Sequence, residues 1–435
     1  MGRRAFTRFL TPPAEPPNPT AGVHRGAEFR SWDDLLRQGR DRAALVREQR
    51  AYVVDPDAGM EAIVSLFAVA TVADTVLLWV SPAPLGVPHR EIAPGLYEVD
   101  SPVPGPVGRP LWGVATSGSS GAPKVAIGYA DAWELVALHY ERAMFRPAFG
   151  GRTPAMLATC LPLQFSAAFF MTVLPALFLR RDLLLFEPHD WSPVRRAAAG
   201  SDVLVLAVPA LAAAACLGTA EPVDLGRAVL FLGGGHVSAD RVALIRDRFT
   251  GAGVVNLYGT AETGALTVDP DPGHNQHVGR PIPGKPVWLE GADEHGVGAV
   301  ATAGPDCCRY VWQPGERLVS HGDHVAGTDY GRFDADGRLC LEGRVDGGEK
   351  VGGVLVYPRT IERRLLALDG VSDARVLVRR GPSGLEHLAA RVVGRVDEAT
   401  VRAHCAALPE ASRPGRVECI PELDAVSAYS RNGKL

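Results

Sequence analysis

The sequence predicts an α/β fold, with a large N-terminal domain of parallel-rich sheets flanked by helices and a small C-terminal α+β domain. From about residue 110, short apolar strands alternate with turns and helices, which is typical of parallel sheets covered on both faces. After residue 344 the pattern changes to a short helix, two strands and a further helix. We therefore predict domains at 1–343 and 347–435, joined by a hinge at 344–346.

The composition is that of an ordinary globular protein. The chain has 435 residues, of which 46% are hydrophobic and 22% are charged, so it is long enough to bury a substantial core. A net charge of −4 gives no electrostatic reason to expect nucleic acid or an anionic membrane as a partner. The seven cysteines contain no C-x-x-C pair and the N-terminus has no apolar signal segment, so we expect a reducing, cytoplasmic location.

The apolar run at residues 63–80 is long enough to suggest a membrane span, but Asp74 interrupts it. A buried helix over 60–72 followed by a strand over 75–80 is the better interpretation. Similar units follow, and ligands of such sheets bind at the carboxyl ends of the strands. The other predicted elements are strands 203–208, 228–232, 254–257, 374–378 and 388–393 and helices 209–217, 238–248, 360–368 and 398–408.

Lysine is rare in this chain. Only four of its 45 basic residues are lysines, namely Lys124, Lys285, Lys350 and Lys434. A lysine retained among so many arginines is expected to use its compact ammonium, which a planar guanidinium cannot replace. Lys124, Lys350 and Lys434 stand near glycines, which indicates anion handling. Chance retention is the alternative, and it is our interpretation for Lys285.

Residues 116–124 form a loop rich in glycine and hydroxyl groups, directly after an apolar stretch. Such a loop can wrap a polyphosphate with backbone N–H groups, while a lysine offsets the charge. It is not a Walker A loop, and the near match at 279–285 lacks the hydroxyl that binds Mg²⁺. The residues expected to contact phosphate are Thr116, Ser117, Gly118, Ser119, Ser120, Gly121 and Lys124.

A second motif, at residues 256–264, continues from the strand predicted at 254–257. Its Tyr258 ring can stack on a base, and the Glu262 carboxylate can hold Mg²⁺ on phosphate oxygens. Taken alone, the Tyr-Gly pair indicates no more than a turn. The two motifs become informative through their order and spacing.

Together with the stretch at 327–337, these motifs resemble those of the adenylate-forming superfamily, which includes acyl-CoA synthetases, aryl-acid ligases, peptide-synthetase adenylation domains and luciferases. The resemblance runs from about residue 60 to the last residue and implies ATP and Mg²⁺ as cofactors. It further implies that residues 117–124 grip the β- and γ-phosphates. It also implies that Tyr258, with Gly259 and Thr260 next to it, contacts the adenine and that Glu262 binds Mg²⁺. Asp329 is implied to bind the ribose, and Asp323 is the alternative residue for that role.

The resemblance also assigns roles to the C-terminal part. Arg344 is implied to contact ribose or phosphate, and Asp346 to be the hinge. Lys350 and Gly353 would belong to a loop that turns in for a second half-reaction. Lys434 matches the lysine that meets the substrate carboxylate and the α-phosphate, where an ammonium offsets anionic repulsion. We expect a mobile C-terminal domain to deliver it.

The chain departs from the family pattern at three places. Ala261 replaces a threonine, so one hydroxyl contact to the α-phosphate is missing, and Thr260 and Thr263 are the candidates to compensate for it. Phe165 stands where the family often has a histidine. Only 115 residues precede the phosphate loop, so we expect a shortened N-terminal part. The predicted substrate pocket contains Phe165, Gly234, Gly235, His236 and Gly259, with a surface or capping role as the alternative for His236.

These features predict an ATP-dependent ligase that converts a carboxylic acid to acyl-AMP and pyrophosphate. A mostly apolar pocket favours an aromatic or medium aliphatic acid. The acyl group would pass to the thiol of CoA or of a carrier protein's pantetheine arm, and we expect the reaction to belong to secondary metabolism. The alternatives are a non-thiol acceptor or a non-carboxylate substrate, as in amide ligases and nitrite-using diazotases, and a catalytically dead nucleotide-binding homologue.

Overall fold

Two large sheets form most of the fold. In this computed structural model the described residues are 20–100, 109–116, 124–219, 221–273, 277–314, 316, 318–344, 349–351, 354–380 and 386–422. In the nine-stranded sheet, six neighbouring strands run parallel and antiparallel strands lie at the two edges. In spatial order its strands are Arg280–Pro281, Gly264–Asp269, Gly253–Thr260, Ala228–Gly233, Val203–Ala207, Met156–Thr159, Asp182–Leu185, Gly22–Arg25 and Glu28–Ser31.

The eight-stranded sheet has a parallel centre of three strands with antiparallel strands on both sides. In spatial order its strands are Val319–Ser320, Tyr310–Trp312, Lys124–Tyr129, Leu111–Thr116, Val76–Trp79, Ala51–Val54, Leu96–Val99 and His89–Ala93.

The nine-stranded sheet buries both of its faces, as the strand–helix alternation predicts. Along one strand, Leu204 and Leu206 join the largest core cluster, whereas Val203 and Val205 join a separate cluster on the opposite face. The period of two in the side-chain direction produces this division. The largest cluster also contains side chains of the eight-stranded sheet, so it joins one face of each large sheet.

Helices cover these faces. Trp32–Arg42, Met60–Ala70, Trp133–Tyr140 and Leu174–Phe178 contribute to the core shared by the two sheets, and Ser192–Ala198, Pro209–Leu217 and Ala239–Arg248 cover the outer face of the nine-stranded sheet. Two π-helical turns, Glu141–Phe145 and Phe169–Val173, and the short helices Pro82–Leu85, Arg146–Ala148 and Ser166–Ala168 complete this part. No helix of the described ranges is long and apolar enough to cross a membrane.

Smaller sheets form the remainder. A four-stranded antiparallel sheet consists of Val287–Glu290, Gly298–Thr302, Val325–Phe333 and Leu339–Arg344. A three-stranded sheet of Val371–Arg380, Glu386–Gly394 and Arg416–Ile420 packs with helices Pro358–Leu366 and Glu398–Cys405 around its own core cluster. The pairs Val223–Asp224 with Phe249–Thr250 and Glu349–Val351 with Val354–Val356 form two-stranded sheets.

The predicted fold class is confirmed, and most element positions are close to the predicted ones. The helix Pro209–Leu217 has the predicted bounds, because Pro209 occupies the first helical turn as proline prefers. One boundary was wrong in a way that affects the site. The strand predicted at 254–257 extends over Gly253–Thr260, so Tyr258 lies on a strand and not in a turn.

Candidate active site

A cavity of about 590 Å³ opens at the carboxyl ends of the parallel strands of both large sheets. Residues that follow four of these strands line it, as expected for ligand sites in such sheets. Ser81 follows one strand, Thr116 ends another, and Gly234 and Tyr258 lie at the ends of two more. The cavity therefore brings together segments that are distant in sequence.

A hydrogen bond joins two of the predicted nucleotide-binding residues in the cavity, one of which lies on the four-stranded sheet. The Tyr258 hydroxyl donates a hydrogen bond of 2.8 Å to Oδ2 of Asp329, and both residues line the cavity. Asp323 is exposed and is not among the lining residues. Of the two predicted ribose carboxylates, the structure thus brings only Asp329 to the cavity.

Backbone register gives the position of three further predicted residues. Arg344 ends a strand opposite Asp329, and Thr116 pairs with Lys124 across neighbouring strands. Thr116 lines the cavity, whereas Lys124 is not among the lining residues. The phosphate-loop residues between them, Ser117, Gly118, Ser119, Ser120 and Gly121, lie outside the described residues.

Glu262 lies in a tight connection between the strands Gly253–Thr260 and Gly264–Asp269, and it lines the cavity. We call residues 260–264 the Glu262 turn. Its backbone amides at 260 and 263 donate to the hydroxyls of Thr263 and Thr260, at 3.1 and 3.3 Å. Thr263 is fully buried and does not line the cavity, whereas Thr260 does. Of the two hydroxyls expected to compensate for Ala261, only that of Thr260 is therefore available to a ligand.

Gly259 also lines the cavity, at a β-bulge before the Glu262 turn. A Cβ atom at this position would lie 2.1 Å from the carbonyl oxygen of Gly264. Only glycine allows the two antiparallel strands to approach so closely here.

Another wall of the cavity is mainly apolar and contains the predicted substrate-pocket residues Phe165, Gly234, Gly235 and His236. Gly234 has a φ of +77°, a conformation that favours glycine, and a Cβ atom there would lie 3.3 Å from the Phe165 ring. This wall can accept an aromatic or aliphatic group. The lining residues nearby include the apolar Val80, Leu85, Phe170, Met171 and Val237 and the polar Ser81, Gln164 and Ser166.

Lys285 is a residue whose importance the sequence interpretation missed. Its side chain is 2% exposed and pairs with the carboxylate of Asp306, which is 3% exposed. Its ammonium also donates to the backbone carbonyl of Thr263 at 2.7 Å. The residue therefore contacts the Glu262 turn at Thr263, and neither of these two residues lines the cavity. The rarity of lysine in the chain was the one available signal.

The C-terminal segment contributes the last side of the cavity. Arg359, Glu362, Arg363 and Leu366 of the helix Pro358–Leu366 line it. Burial raises the pKa of Glu362, against the opposing effect of the neighbouring arginines. Lys350 lies on the strand Glu349–Val351. The predicted residues Asp346, Gly353 and Lys434 lie outside the described residues.

The same segment contacts the large sheets through Arg241. This side chain is 1% exposed, and it bonds to Asp373 and Glu422 at 3.0 Å each. Its guanidinium also donates to the carbonyl oxygen of His236, at 3.3 Å. Arg241 therefore connects the apolar wall of the cavity with the C-terminal segment.

The donor set around the cavity fits a magnesium nucleotide. Tyr258 offers an aromatic ring, Asp329 a carboxylate and Glu262 a second carboxylate. Mg²⁺ usually takes one or two protein carboxylates together with substrate phosphates, and a protein cage is not needed. Among the described residues, no group of three or more His, Cys, Asp or Glu side chains is arranged to hold a metal ion.

Comparison with protein families identifies the chain. A family model described as AMP-binding enzyme matches residues 45–323, more than half of the chain. Over 202 residues the chain is 29% identical to tyrocidine synthase 2 of Brevibacillus parabrevis, covering 40% of this chain and 5% of that protein. Over 171 residues it is 26% identical to the 3,4-dihydroxybenzoate–[aryl-carrier protein] ligase of Bacillus anthracis, covering 39% of this chain and 37% of that protein. These matches span well under two thirds of either relative.

Solved structures share the fold over almost the whole chain. ATP-bound MatB from Rhodopseudomonas palustris superposes with a TM-score of 0.69 at 17% identity, covering 97% of this chain and 95% of that one. The anthranilate CoA ligase AuaEII, in complex with anthranoyl-AMP, superposes with a TM-score of 0.69 at 15% identity, covering 99% and 95%. The amide bond synthetase McbA from Marinactinospora thermotolerans has a TM-score of 0.64 at 21% identity, covering 95% of each chain.

Proposed function

Because the chain belongs to the family of AMP-binding enzymes, we propose that it activates a carboxylic acid with ATP, forming acyl-AMP and pyrophosphate, and then transfers the acyl group to a thiol. The observation that carries this proposal is a single cavity with two different walls. One wall holds Tyr258, Asp329 and Glu262, and the other is apolar around Phe165. Such a cavity can hold a nucleotide and an acid side by side.

In the proposed mechanism the protein positions two anions and stabilises the charge that develops between them. Tyr258 contacts the adenine, and Asp329 accepts hydrogen bonds from the ribose hydroxyls. Glu262 holds the Mg²⁺ that accompanies the phosphates. Lys124 and the loop before it neutralise the β- and γ-phosphates, and Lys434 meets the attacking carboxylate and the α-phosphate.

The proposed acid is aromatic or medium aliphatic. The wall that contains Phe165, Phe170 and Met171 supports this, because burial of an apolar group there contributes about 25 cal/mol per Å². The absence of a side chain at Gly234 leaves room beside the Phe165 ring. One relative is named for a 3,4-dihydroxybenzoate substrate and one structural neighbour for anthranilate, which are both aromatic acids.

The proposed acceptor is the thiol of CoA or of a carrier protein's pantetheine arm. Relatives named as an aryl-carrier protein ligase and as a peptide synthase support the carrier protein. The likeness to an amide bond synthetase supports an amine as the second candidate. Nitrite remains an alternative substrate, and it is included in the test.

The decisive experiment measures pyrophosphate release from ATP and Mg²⁺ across a panel of carboxylic acids, with hydroxylamine present to trap acyl-AMP as a hydroxamate. We expect acid-dependent release with aromatic or aliphatic acids. Asp329→Asn should raise the KM for ATP strongly, and Asp323→Asn is the matched control because Asp323 is exposed outside the cavity. Equal effects of both variants would contradict the ribose assignment.

The acceptor is then identified by single-turnover discharge of the preformed adenylate. CoA, a phosphopantetheinylated carrier protein, a primary amine and nitrite are added separately. We expect rapid discharge by a thiol only. Discharge by the amine would make the chain an amide ligase, and nucleotide binding without pyrophosphate release from any substrate would make it a catalytically inactive binding protein.

A further inference from the structure

Three buried polar side chains from separate elements meet behind the Glu262 turn. We call Lys285, Asp306 and Tyr140 the Lys285 cluster. The Lys285 ammonium pairs with Oδ1 of Asp306, and the Tyr140 hydroxyl donates to Oδ2 of the same carboxylate at 2.7 Å. Burial, with the Asp306 charge adding to it, raises the pKa of Tyr140 well above its usual value, so the phenol keeps the proton that it donates. Both carboxylate oxygens of Asp306 are thus occupied.

The cluster holds the main chain around Glu262 at two points. Lys285 donates to the Thr263 carbonyl at 2.7 Å, and the backbone amide of Ala265 donates to the Tyr140 hydroxyl at 3.1 Å. A third bond comes from the segment that follows Asp306, since the amide of Cys308 donates to the carbonyl of Glu262 at 2.8 Å. These bonds therefore fix the backbone from 262 to 265, of which Glu262, Gly264 and Ala265 line the cavity.

Gly264 shows how closely the turn fits against the cluster. Its φ of +67° favours glycine, and a Cβ atom there would lie 2.3 Å from Oδ2 of Asp306. A larger residue would push the turn away from Asp306. The packing thus leaves the turn little freedom to move towards the cluster.

The chemistry of this site explains why lysine persists in an arginine-rich chain. The ammonium of Lys285 has three donors, and its three contacts are the Thr263 carbonyl, Asp306 and the sulfur of Cys307 at 3.6 Å. Burial raises the pKa of the Cys307 thiol to about 11, so the sulfur is neutral at physiological pH. A planar guanidinium is wider and directs its donors in one plane, so it does not match this arrangement.

We propose that Lys285, Asp306 and Tyr140 are positioning residues that fix Glu262 relative to the Tyr258–Asp329 pair. The proposal rests on the proposed function, in which Glu262 holds the Mg²⁺ of the bound nucleotide. Lys285 and Asp306 do not line the cavity, whereas Tyr140 does, and the cluster acts through the backbone of the turn. Displacing a positioned group by about 1 Å can lower a rate by about a hundredfold. Fixing the Glu262 carboxylate would therefore maintain the rate.

The first test needs no turnover. Hydrogen–deuterium exchange is compared between the wild-type chain and Lys285→Met, and we expect faster exchange in the peptide that covers residues 258–266. Tyr140→Phe is the milder second variant if Lys285→Met folds poorly. Unchanged exchange at 258–266 in both variants would overturn the proposal, whatever reaction the chain catalyses.

The second test separates positioning from general stability. Lys285→Met should lower kcat for acyl-AMP formation about tenfold or more and raise the Mg²⁺ concentration for half-maximal rate, with the KM for the acid little changed. In a Glu262→Gln background the same substitution should cost less than about twofold, because residues that act through one group are not additive. An equal loss in both backgrounds would show a purely structural role and would contradict the proposal.

A paired variant, Lys285→Met/Asp306→Leu, provides the control. Replacing both buried charges by apolar groups can restore stability. We expect the kinetic defect to persist, because the Thr263 carbonyl still lacks its donor. Recovery of the rate together with the stability would contradict positioning. If the wild-type chain released no pyrophosphate with any substrate, the proposed function would fail, and the exchange experiment would still decide whether the cluster holds the turn.

Discussion

Two buried cations, Lys285 and Arg241, have different kinds of partners. The partners of Lys285 are Asp306 and the backbone of the Glu262 turn, which belong to the part of the chain that carries the nucleotide wall. The carboxylate partners of Arg241 belong to the C-terminal segment, namely Asp373 and Glu422. One cation therefore joins elements within a unit, whereas the other joins two segments with separate cores.

This difference indicates that the contacts of Lys285 are harder to break than those of Arg241. The contacts of Lys285 are enclosed, so breaking them leaves an uncompensated buried charge. Asp373 and Glu422 are 14% and 20% exposed, so water can replace Arg241 more readily if the segment moves away. We therefore expect Lys285 to govern stability and the position of Glu262, and Arg241 to govern how the C-terminal segment is seated.

Removing the enclosed cation should have the largest effect. Lys285→Met leaves the Asp306 carboxylate buried, with the Tyr140 hydroxyl and the more distant Cys307 thiol, at 3.9 Å, as its remaining donors. Breaking such a pair typically costs about 3–5 kcal/mol of the free energy of unfolding. Urea unfolding followed by circular dichroism measures this loss. A loss below about 1 kcal/mol, the level of an exposed pair, would contradict the comparison.

Lys434→Ala tests what the C-terminal segment is proposed to deliver. Removal of one group that stabilises developing charge typically lowers a rate by about 10²–10³-fold, so acyl-AMP formation should fall by that factor. ATP binding, measured by calorimetry, should remain nearly unchanged, because the predicted nucleotide contacts of Tyr258 and Asp329 are intact. Pyrophosphate release close to the wild-type rate would exclude this role for Lys434.

Arg241→Met should have a smaller effect than Lys434→Ala, and it should slow one half-reaction more than the other. Glu422 lies twelve residues before Lys434 in the sequence, so seating Glu422 on Arg241 limits where the tail can go. Losing this anchor should slow acyl-AMP formation about tenfold, within the usual range of coupling energies, and affect transfer to the acceptor less. Rapid-quench measurements of acyl-AMP formation and of acyl transfer give the factor by which each step is slowed. Equal slowing of both steps would contradict the selective role.

The smallest effect is expected for Arg246→Met on the same helix. Arg246 pairs with Asp271 at 2.7 Å, but the two side chains are 45% and 87% exposed. Exposed pairs contribute about 0–1 kcal/mol, so stability and both half-reactions should stay near their wild-type values. Thermal unfolding and the same rapid-quench assay make Arg246→Met the matched control for Arg241→Met. A tenfold change in either rate would show that burial is not what distinguishes the two arginines.

The sequence predicted the parts of the site that depend on short stretches. Tyr258, Gly259 and Glu262 lie within a few residues of each other, so one motif contains all three, and the structure brings them to one cavity. The choice between Thr260 and Thr263 could not be predicted. It depends on which hydroxyl the turn directs inwards, and the hydrogen bonds between the two threonines determine that direction.

The sequence could not predict the Lys285 cluster, because its members come from three distant elements. Tyr140 ends a helix, Lys285 follows an edge strand, and Asp306 precedes another strand. Only the folded chain brings them together. The scarcity of lysine did point to Lys285, but the lack of neighbouring motif residues favoured chance retention, and the sequence held no sign that its side chain is 2% exposed and paired with Asp306.

Isotope exchange between labelled pyrophosphate and ATP, with a carboxylic acid and Mg²⁺ present and no acceptor added, tests the central claim most directly. Formation of acyl-AMP is reversible, so the account predicts label in ATP that depends on the acid and is lost in Glu262→Gln. Bound ATP without acid-dependent exchange, across aromatic and aliphatic acids alike, would contradict the account.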